Sequence, residues 1–454
     1  MNRFEPYLNL LESSLRKLDQ WRESFGDVPP PGSDKSKAIE KIVEDLRTKL
    51  QGNYPFHHPR YAGQMLKPPH PVAWLAYTLA MTINPNNHAL DGGPPTSEME
   101  KEVMNKLASM VGYQEPYLGH LTSNGTIANL EALFVAREIH PGKAIAATAN
   151  AHYTHRRMCR VLNTDFIEIP VDADGLPDLS FLKQHANKIG TMVVTMGTTG
   201  LGYTEPLGDF LELAKKHTFR IHADAAYGGF FKLIEHHLPK QDHWRLLPEC
   251  DSIVIDPHKH GLQPYGCGSV LYKDPGVGKY FKHDSPYTYF TSEELHLGEI
   301  SLECSRAGAS AAAFWATLEL FPLDETGLGS VLKKTRQATE KFAELIRSEN
   351  GWKLYSEPDL DIAGYFKMPA ESSLSAISKM SKAIFDAGMK KNESGFFLSL
   401  FQLPADQFKE KFPDVRADQK QVTLLRSVFM KEEHLDYVDE LVQQLFSVKT
   451  DSLS

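Results

Sequence analysis

Apolar positions along this chain follow two periods, and the switches between them outline its elements. Leu8, Leu11, Leu15 and Leu18 fall three or four residues apart, which predicts a helix over 7–25. A second helix is expected over Ser36–Leu50, beyond the break at Pro29-Pro30-Pro31-Gly32. Residues 1–55 therefore read as an N-terminal helical arm. From about 53 to 95 the chain is rich in Pro, His and Asn, and irregular structure wrapping a functional region is expected there. Ser97-Glu98-Met99-Glu100 has the form of a capping box. The stripe Met99, Val103, Leu107 and Met110 then continues to Gly112, so one core helix is expected between them.

Between about 117 and 275 the pattern changes. Short apolar runs at Ala144–Thr148, 166–170, 192–195, 218–222 and Ser252–Ile255 alternate with helical segments. That alternation predicts a mostly parallel sheet with crossover helices, an α/β fold. An alanine-rich helix is expected near 307–320, followed by Gly327-Leu328-Gly329. Beyond it come a charged helix at 333–349, a β-rich run at 364–368, a helix at 372–387, strands near 395–402 and 422–427, and a final helix. The expected division is a large domain over 56–330 and a smaller α+β domain over 331–454.

With 454 residues the chain is long enough to bury a large core, and 41% apolar with 24% charged residues suits a soluble enzyme. The net charge of −9 argues against nucleic acid or an anionic membrane surface as partner. No apolar run of about 18 residues is present, and Met1–Pro6 does not open an apolar leader, so a cytoplasmic location without a membrane span is expected. Cys159, Cys250, Cys267 and Cys304 form no CxxC pair, and the histidines lack ligand spacing, so no metal site is expected.

The chemistry concentrates at two strand ends. Asp224 closes the run 218–222 within His222-Ala223-Asp224-Ala225-Ala226-Tyr227-Gly228-Gly229, and Lys259 follows Ser252–Ile255 within Asp256-Pro257-His258-Lys259. In open α/β sheets both would emerge at the carboxyl edge, where ligands bind. A lysine amine and a carboxylate set this way are the two groups pyridoxal phosphate chemistry requires. The amine forms a Schiff base with the cofactor aldehyde, and the carboxylate keeps the pyridine nitrogen protonated. Thr122-Ser123-Asn124-Gly125-Thr126 precedes a helical run, 127–139, whose free N–H groups would suit a phosphate. His152, after Ala144–Thr148, is placed to stack on the pyridine ring. The hydroxyls of Gly197-Thr198-Thr199-Gly200, Thr198 among them, are placed to touch the cofactor phenolate or its aspartate, and His258 to donate to the phosphate.

These motifs, with the run Ser123-Asn124-Gly125-Thr126-Ile127-Ala128-Asn129-Leu130-Glu131-Ala132 and Ser301-Leu302-Glu303-Cys304-Ser305-Arg306, resemble the group II pyridoxal phosphate-dependent amino-acid decarboxylases, from about Phe56 to the end of the chain. The resemblance implies a fold-type I, aspartate aminotransferase-like large domain and a homodimer with sites at the interface. By the same resemblance Lys259 carries the cofactor, Asp224 faces the pyridine nitrogen, and Ala226 and His152 take opposite ring faces. Ser123, Asn124 and His258 would hold the phosphate. Arg426, in Leu424-Leu425-Arg426-Ser427, resembles the small-domain arginine that faces the substrate, with a plain salt bridge as the other reading. His57, Arg60 and Tyr61 lie in a segment resembling the family's pocket entry. Their character suits an aromatic substrate such as tyrosine or dihydroxyphenylalanine, while Arg60 would equally suit glutamate or aspartate. The proton donor to Cα is left open among Tyr287, Tyr289 and His296. The implied reaction is decarboxylation of an L-amino acid to its amine. Aldehyde synthesis and carbon–carbon lysis are the alternatives within the fold, and a scaffold without turnover is the one outside enzymology.

Overall fold

The strands of the large domain are apolar on both faces because helices cover both faces. In the computed structural model, which describes residues 4–27, 35–282, 300–390 and 395–449, seven strands form one sheet. They are β1 (Leu118–Thr122), β2 (Ala144–Thr148), β3 (Phe166–Ile169), β4 (Ile189–Thr195), β5 (Arg220–Asp224), β6 (Ser252–Ile255) and β7 (Gly268–Tyr272), in the order β1-β7-β6-β5-β4-β2-β3. Every residue of β2, β4, β6 and β7 is buried, as two-sided cover demands. Strands β2 to β6 pair in parallel, and β7 alone runs against its neighbours β6 and β1. The carboxyl ends of β1, β2, β4, β5 and β6 therefore share one edge.

The first four helices are α1 (Glu5–Glu23), α2 (Ser36–Leu50), α3 (Pro71–Met81) and α4 (Pro94–Val111). Helix α1 rests on α3, where Phe4 meets Trp74 at 6.3 Å between ring centroids and Arg22 donates to the Thr82 carbonyl at 2.6 Å. Helix α2 buries none of its residues. Two expectations give way here. The stretch expected to be irregular contains α3, which begins at Pro71 with the His70 imidazole accepting from the Val72 N–H. The capping box at Ser97 does not form, because α4 starts a turn earlier at Pro94. Pro94 and Pro95 suit a first turn, having no N–H to satisfy. Glu100 is instead buried and accepts from Asn87, the Leu121 N–H and Arg306. Gly112 ends α4 in the left-handed conformation, φ +89°.

Helix α5 (Gly125–Ile139) packs on β6 and β7, and α6 (Thr154–Val161) packs on α5. The remaining large-domain helices are α7 (Leu179–His185), α8 (Leu207–His217), α9 (Gln241–Arg245) and α10 (Gly308–Leu320), the last lying on α3 and α4.

The C-terminal sheet is antiparallel, with the order β10-β11-β9-β8: β8 (Trp352–Leu354), β9 (Ile362–Lys367), β10 (Ser399–Pro404) and β11 (Gln421–Val428). Helices α11 (Leu328–Ser348), α12 (Leu374–Gly388), α13 (Ala405–Lys411) and α14 (His434–Phe446) complete it. Phe342 of α11 packs on Tyr365 of β9 and on Phe429 in the core of this layer. The expected boundary after residue 330 falls within the first turn of α11. A second crossing lies upstream, where Ala62 donates to the Phe397 carbonyl and accepts from Val428, both at 2.8 Å, pinning the 56–64 segment to the smaller sheet.

Candidate active site

Five segments meet at the carboxyl edge of the sheet around a cavity of about 190 Å³. The start of α5 contributes Asn124, Gly125 and Thr126, and the turn after β2 contributes His152 and Thr154. The end of β4 and the turn after it supply Thr195, Gly197 and Thr199. Asp224, Ala226 and Tyr227 come from the end of β5, and Asp256, His258 and Lys259 follow β6. Residues distant in sequence converge here because parallel strands all end on this side.

Ser123 and Thr198 are not in the lining. The Ser123 N–H donates to Glu303 at 2.7 Å, and its hydroxyl accepts from the Asn124 amide. Thr198 follows Gly197, whose φ of +103° reverses the chain. Its buried hydroxyl accepts from the Tyr203 N–H at 2.9 Å, so Thr199 reaches the cavity in its place. Asn124 caps α5, its side-chain oxygen accepting from the Ile127 N–H at 3.1 Å.

Asp224 is held by a residue that sequence reasoning missed. His155, fully buried on α6, places Nε2 2.8 Å from Oδ2 of Asp224, while the Ala226 N–H donates to Oδ1 at 3.2 Å. Burial pushes this carboxyl up. The hydrogen bond and charge of His155, with Lys259 and His222, outweigh it and hold Asp224 well below the ordinary carboxylate range. The only sequence signal for His155 is its position one helical turn after His152. Burial keeps the imidazole of His152 below its usual value, and Nδ1 bonds the Thr154 hydroxyl at 2.7 Å.

Behind Asp224, burial pushes His222 down to about 3, so it stays neutral between the Ser252 hydroxyl and the Asn129 side-chain oxygen, each at 2.8 Å. Glu205, also missed, accepts from the Thr148 hydroxyl and from the Thr195 N–H at 2.7 Å. Burial raises it to about 7 against those bonds. The Tyr227 hydroxyl leaves the cavity wall to donate to Asp361 at 2.6 Å.

On the other side, Nζ of Lys259 lies 3.4 Å from Oδ2 of Asp256. His258 Nδ1 takes the Cys267 carbonyl at 2.7 Å as its partner, which turns Nε2 toward Asp256 at 3.6 Å.

The expected substrate residues sit apart. Arg426 is buried on β11 and donates to the carbonyls of Thr199 and Gly200, both at 2.7 Å, and to Ser399. It forms no carboxylate pair among the described residues, against the plain salt bridge, and its guanidinium reaches the cavity wall through the Thr199 carbonyl. His57, Arg60 and Tyr61 are absent from the lining. Tyr61 packs on Phe56 and Phe397, and Arg60 donates to His58. The backbone pairing of Ala62 with Phe397 and Val428 keeps this segment on the smaller sheet. Tyr287, Tyr289 and His296 lie outside the described residues.

Residues 26–365 match the model of the pyridoxal-dependent decarboxylase conserved domain. The chain belongs to the pyridoxal-dependent decarboxylase family. Among curated relatives of this decarboxylase, an L-tyrosine decarboxylase of Enterococcus faecium is 26% identical, covering 84% of this chain and 82% of the relative. A probable L-aspartate decarboxylase of Pyrococcus abyssi is 27% identical over 73% of this chain and 85% of its own. The fold matches that of Oryza sativa TDC, solved with PLP and tryptamine. The TM-score is 0.77 at 16% identity, with 100% and 99% of the two chains covered.

The decarboxylase is thus a pyridoxal phosphate-dependent carboxy-lyase, and its cavity fits the cofactor. Asn124, Gly125 and Thr126 bring the start of α5 to the cavity wall, and two lining atoms, Thr195 Oγ1 and Asp256 Oδ1, are buried with no hydrogen-bond partner. An acid held anionic faces one part of the cavity and a lysine another. No cluster of potential metal ligands occurs among the described residues, and no described helix is long and apolar enough to cross a membrane.

Proposed function

We propose that this decarboxylase removes the α-carboxylate of an aromatic L-amino acid, tyrosine foremost, releasing CO₂ and the amine. The observation that carries the reading is Asp224, held by the buried His155, in the wall of the same cavity as Lys259. Pyridoxal phosphate, when bound, supplies the electron sink for the pair of electrons left at Cα. Lys259 Nζ would attach it, Asp224 would hold a proton on its ring nitrogen, and His152 and Ala226 would pack against the ring. Asn124, Gly125, Thr126 and His258 would seat the phosphate.

His155 acts through Asp224. Its N–H keeps the carboxylate ionised inside a buried site, so a pyridine nitrogen facing it would retain its proton at neutral pH. Arg426 braces the Thr199–Gly200 turn, carrying the position of the smaller sheet into the cavity wall. The tyrosine decarboxylases among the relatives support an aromatic side chain. A homodimer is proposed from α2, which leaves Ile39, Ile42, Val43, Leu46 and Leu50 exposed on a helix that buries nothing.

The test is incubation of the cofactor-loaded protein with a panel of L-amino acids, following CO₂, amine and aldehyde by mass spectrometry. Tyramine with equimolar CO₂ supports the proposal. β-Alanine from aspartate would replace the substrate assignment, and an aldehyde would replace the product assignment.

A further inference from the structure

Among the described residues, Asp256 is the one carboxylate in the cavity wall besides Asp224. Its side chain is 4% exposed and is packed directly on the first residue of α5: a Cβ built on Gly125 would lie 2.4 Å from Oδ2 and 2.6 Å from Oδ1. Oδ1 has no hydrogen-bond partner, and Oδ2 faces Lys259 Nζ at 3.4 Å. A negative charge therefore occupies the positive end of α5, where an incoming phosphate would meet it, beside an ammonium that must lose a proton before it can act as a nucleophile.

We propose that Asp256 accepts the ammonium proton of Lys259, so that one transfer frees the amine and clears the negative charge from the start of α5. The proposal rests on the reading of Lys259 as the attachment point and of the α5 start as the phosphate seat. In the transfer an N–H bond of Lys259 breaks, an O–H bond forms at Oδ2, and nitrogen keeps the electron pair. With pyridoxal phosphate bound, that pair would be available to its aldehyde carbon, and the aldehyde oxygen would leave as water, taking the two hydrogens still on the amine.

A buried ion pair with imperfect geometry gains little over its neutral form, since desolvation penalises both charges. Burial indeed raises Asp256, against the opposing pull of Lys259 and His258, and Asp224 across the cavity raises it further. The groups facing it are Lys259, the Nε2 of His258 at 3.6 Å, Asp224, Cys267, and Tyr265, whose ring lies tilted against that of His258 at 4.8 Å. None of them donates a hydrogen bond to Oδ1.

The experiment uses full-length apoprotein, wild type and Asp256→Asn. Attachment of pyridoxal phosphate is trapped with borohydride over a pH series and mapped by peptide mass spectrometry. Affinity for pyridoxine 5′-phosphate, which has no aldehyde, is measured in parallel. Asp256→Asn is expected to attach the cofactor at least about tenfold more slowly near pH 7 and to recover toward the wild-type rate at alkaline pH, because solvent must then remove the proton. Its affinity for pyridoxine 5′-phosphate should match or exceed that of wild type. Equal attachment rates near pH 7, with the label on Lys259, would overturn the proposal alone. So would slow attachment at every pH together with weakened pyridoxine 5′-phosphate binding, which is the signature of a structural role. A label on another lysine would overturn the reading of the site as well. Should the variant fail to fold, competitive acetylation of wild-type apoprotein decides: Lys259 must react faster near pH 7 than exposed lysines, and slower reaction refutes the transfer.

Discussion

The Nε2 of His155 lies 2.8 Å from Oδ2 of Asp224, and both side chains are buried. The pair joins the helix after β2 to the end of β5, and it decides the charge in the part of the cavity where the pyridine nitrogen is expected.

Replacing His155 with alanine leaves Asp224 a buried carboxylate without its main partner, a loss on the order of 3–5 kcal/mol. Activity should fall by roughly two to three orders of magnitude with cofactor still trapped on Lys259, because the acid no longer stays ionised. The pH dependence has a definite sign. Asp224 is depressed in the folded protein, so its contribution to stability is present above the unfolded carboxyl value, about 4, and is lost as pH falls further. Wild type should therefore lose stability more steeply than His155→Ala below that pH in denaturant titrations.

Lys259→Ala should abolish the borohydride-trapped adduct and the visible absorbance of the bound cofactor. Asp224→Asn should keep both while lowering kcat by about 100-fold or more. Near-wild-type turnover in Asp224→Asn would break the assignment of the carboxylate to the ring nitrogen.

Glu205 offers a stability readout free of turnover. It is raised to about 7 by burial, so its contribution is most favourable below about pH 4 and is lost as pH rises through 7. Glu205→Gln keeps the bonds available to a neutral side chain. Relative to wild type it should gain roughly 1–3 kcal/mol at pH 8 compared with pH 5, measured as denaturation midpoints.

Gly125→Ala should damage the site although alanine favours helix. The new Cβ would sit 2.4 Å from a short, buried carboxylate that has little room to move, and overpacking of this kind costs about 1–3 kcal/mol. Weaker retention of pyridoxal phosphate on dialysis, with helix content unchanged by circular dichroism, is the expected result.

Much of the large domain was legible because a strand buried on both faces is a short, uninterrupted apolar run. Ala144–Thr148 and Ser252–Ile255 were read at their observed bounds for that reason. The same rule cannot report direction, so the antiparallel course of β7 was invisible, and Cys267, the residue just before β7, supplies the carbonyl that orients His258. Ser97-Glu98-Met99-Glu100 misled because a capping box and a buried acid facing Arg306 have identical spelling. Two prolines, by moving the helix start, chose between them. The 56–64 segment is a further case: its aromatic content is plain in the sequence, but the pairing of its backbone with Phe397 and Val428 is not.

From the sequence alone came the class of fold, the cofactor, and the positions of Lys259 and Asp224, because these rest on local pattern and on residue types that few other chemistries need together. Only the tertiary structure decided who holds Asp224, which threonine of the Gly197–Gly200 turn reaches the cavity, and that Asp256 sits against Gly125. Each of those is a contact between segments far apart in the chain, made by the way strands order themselves in the sheet, and periodicity along a sequence carries no record of that order.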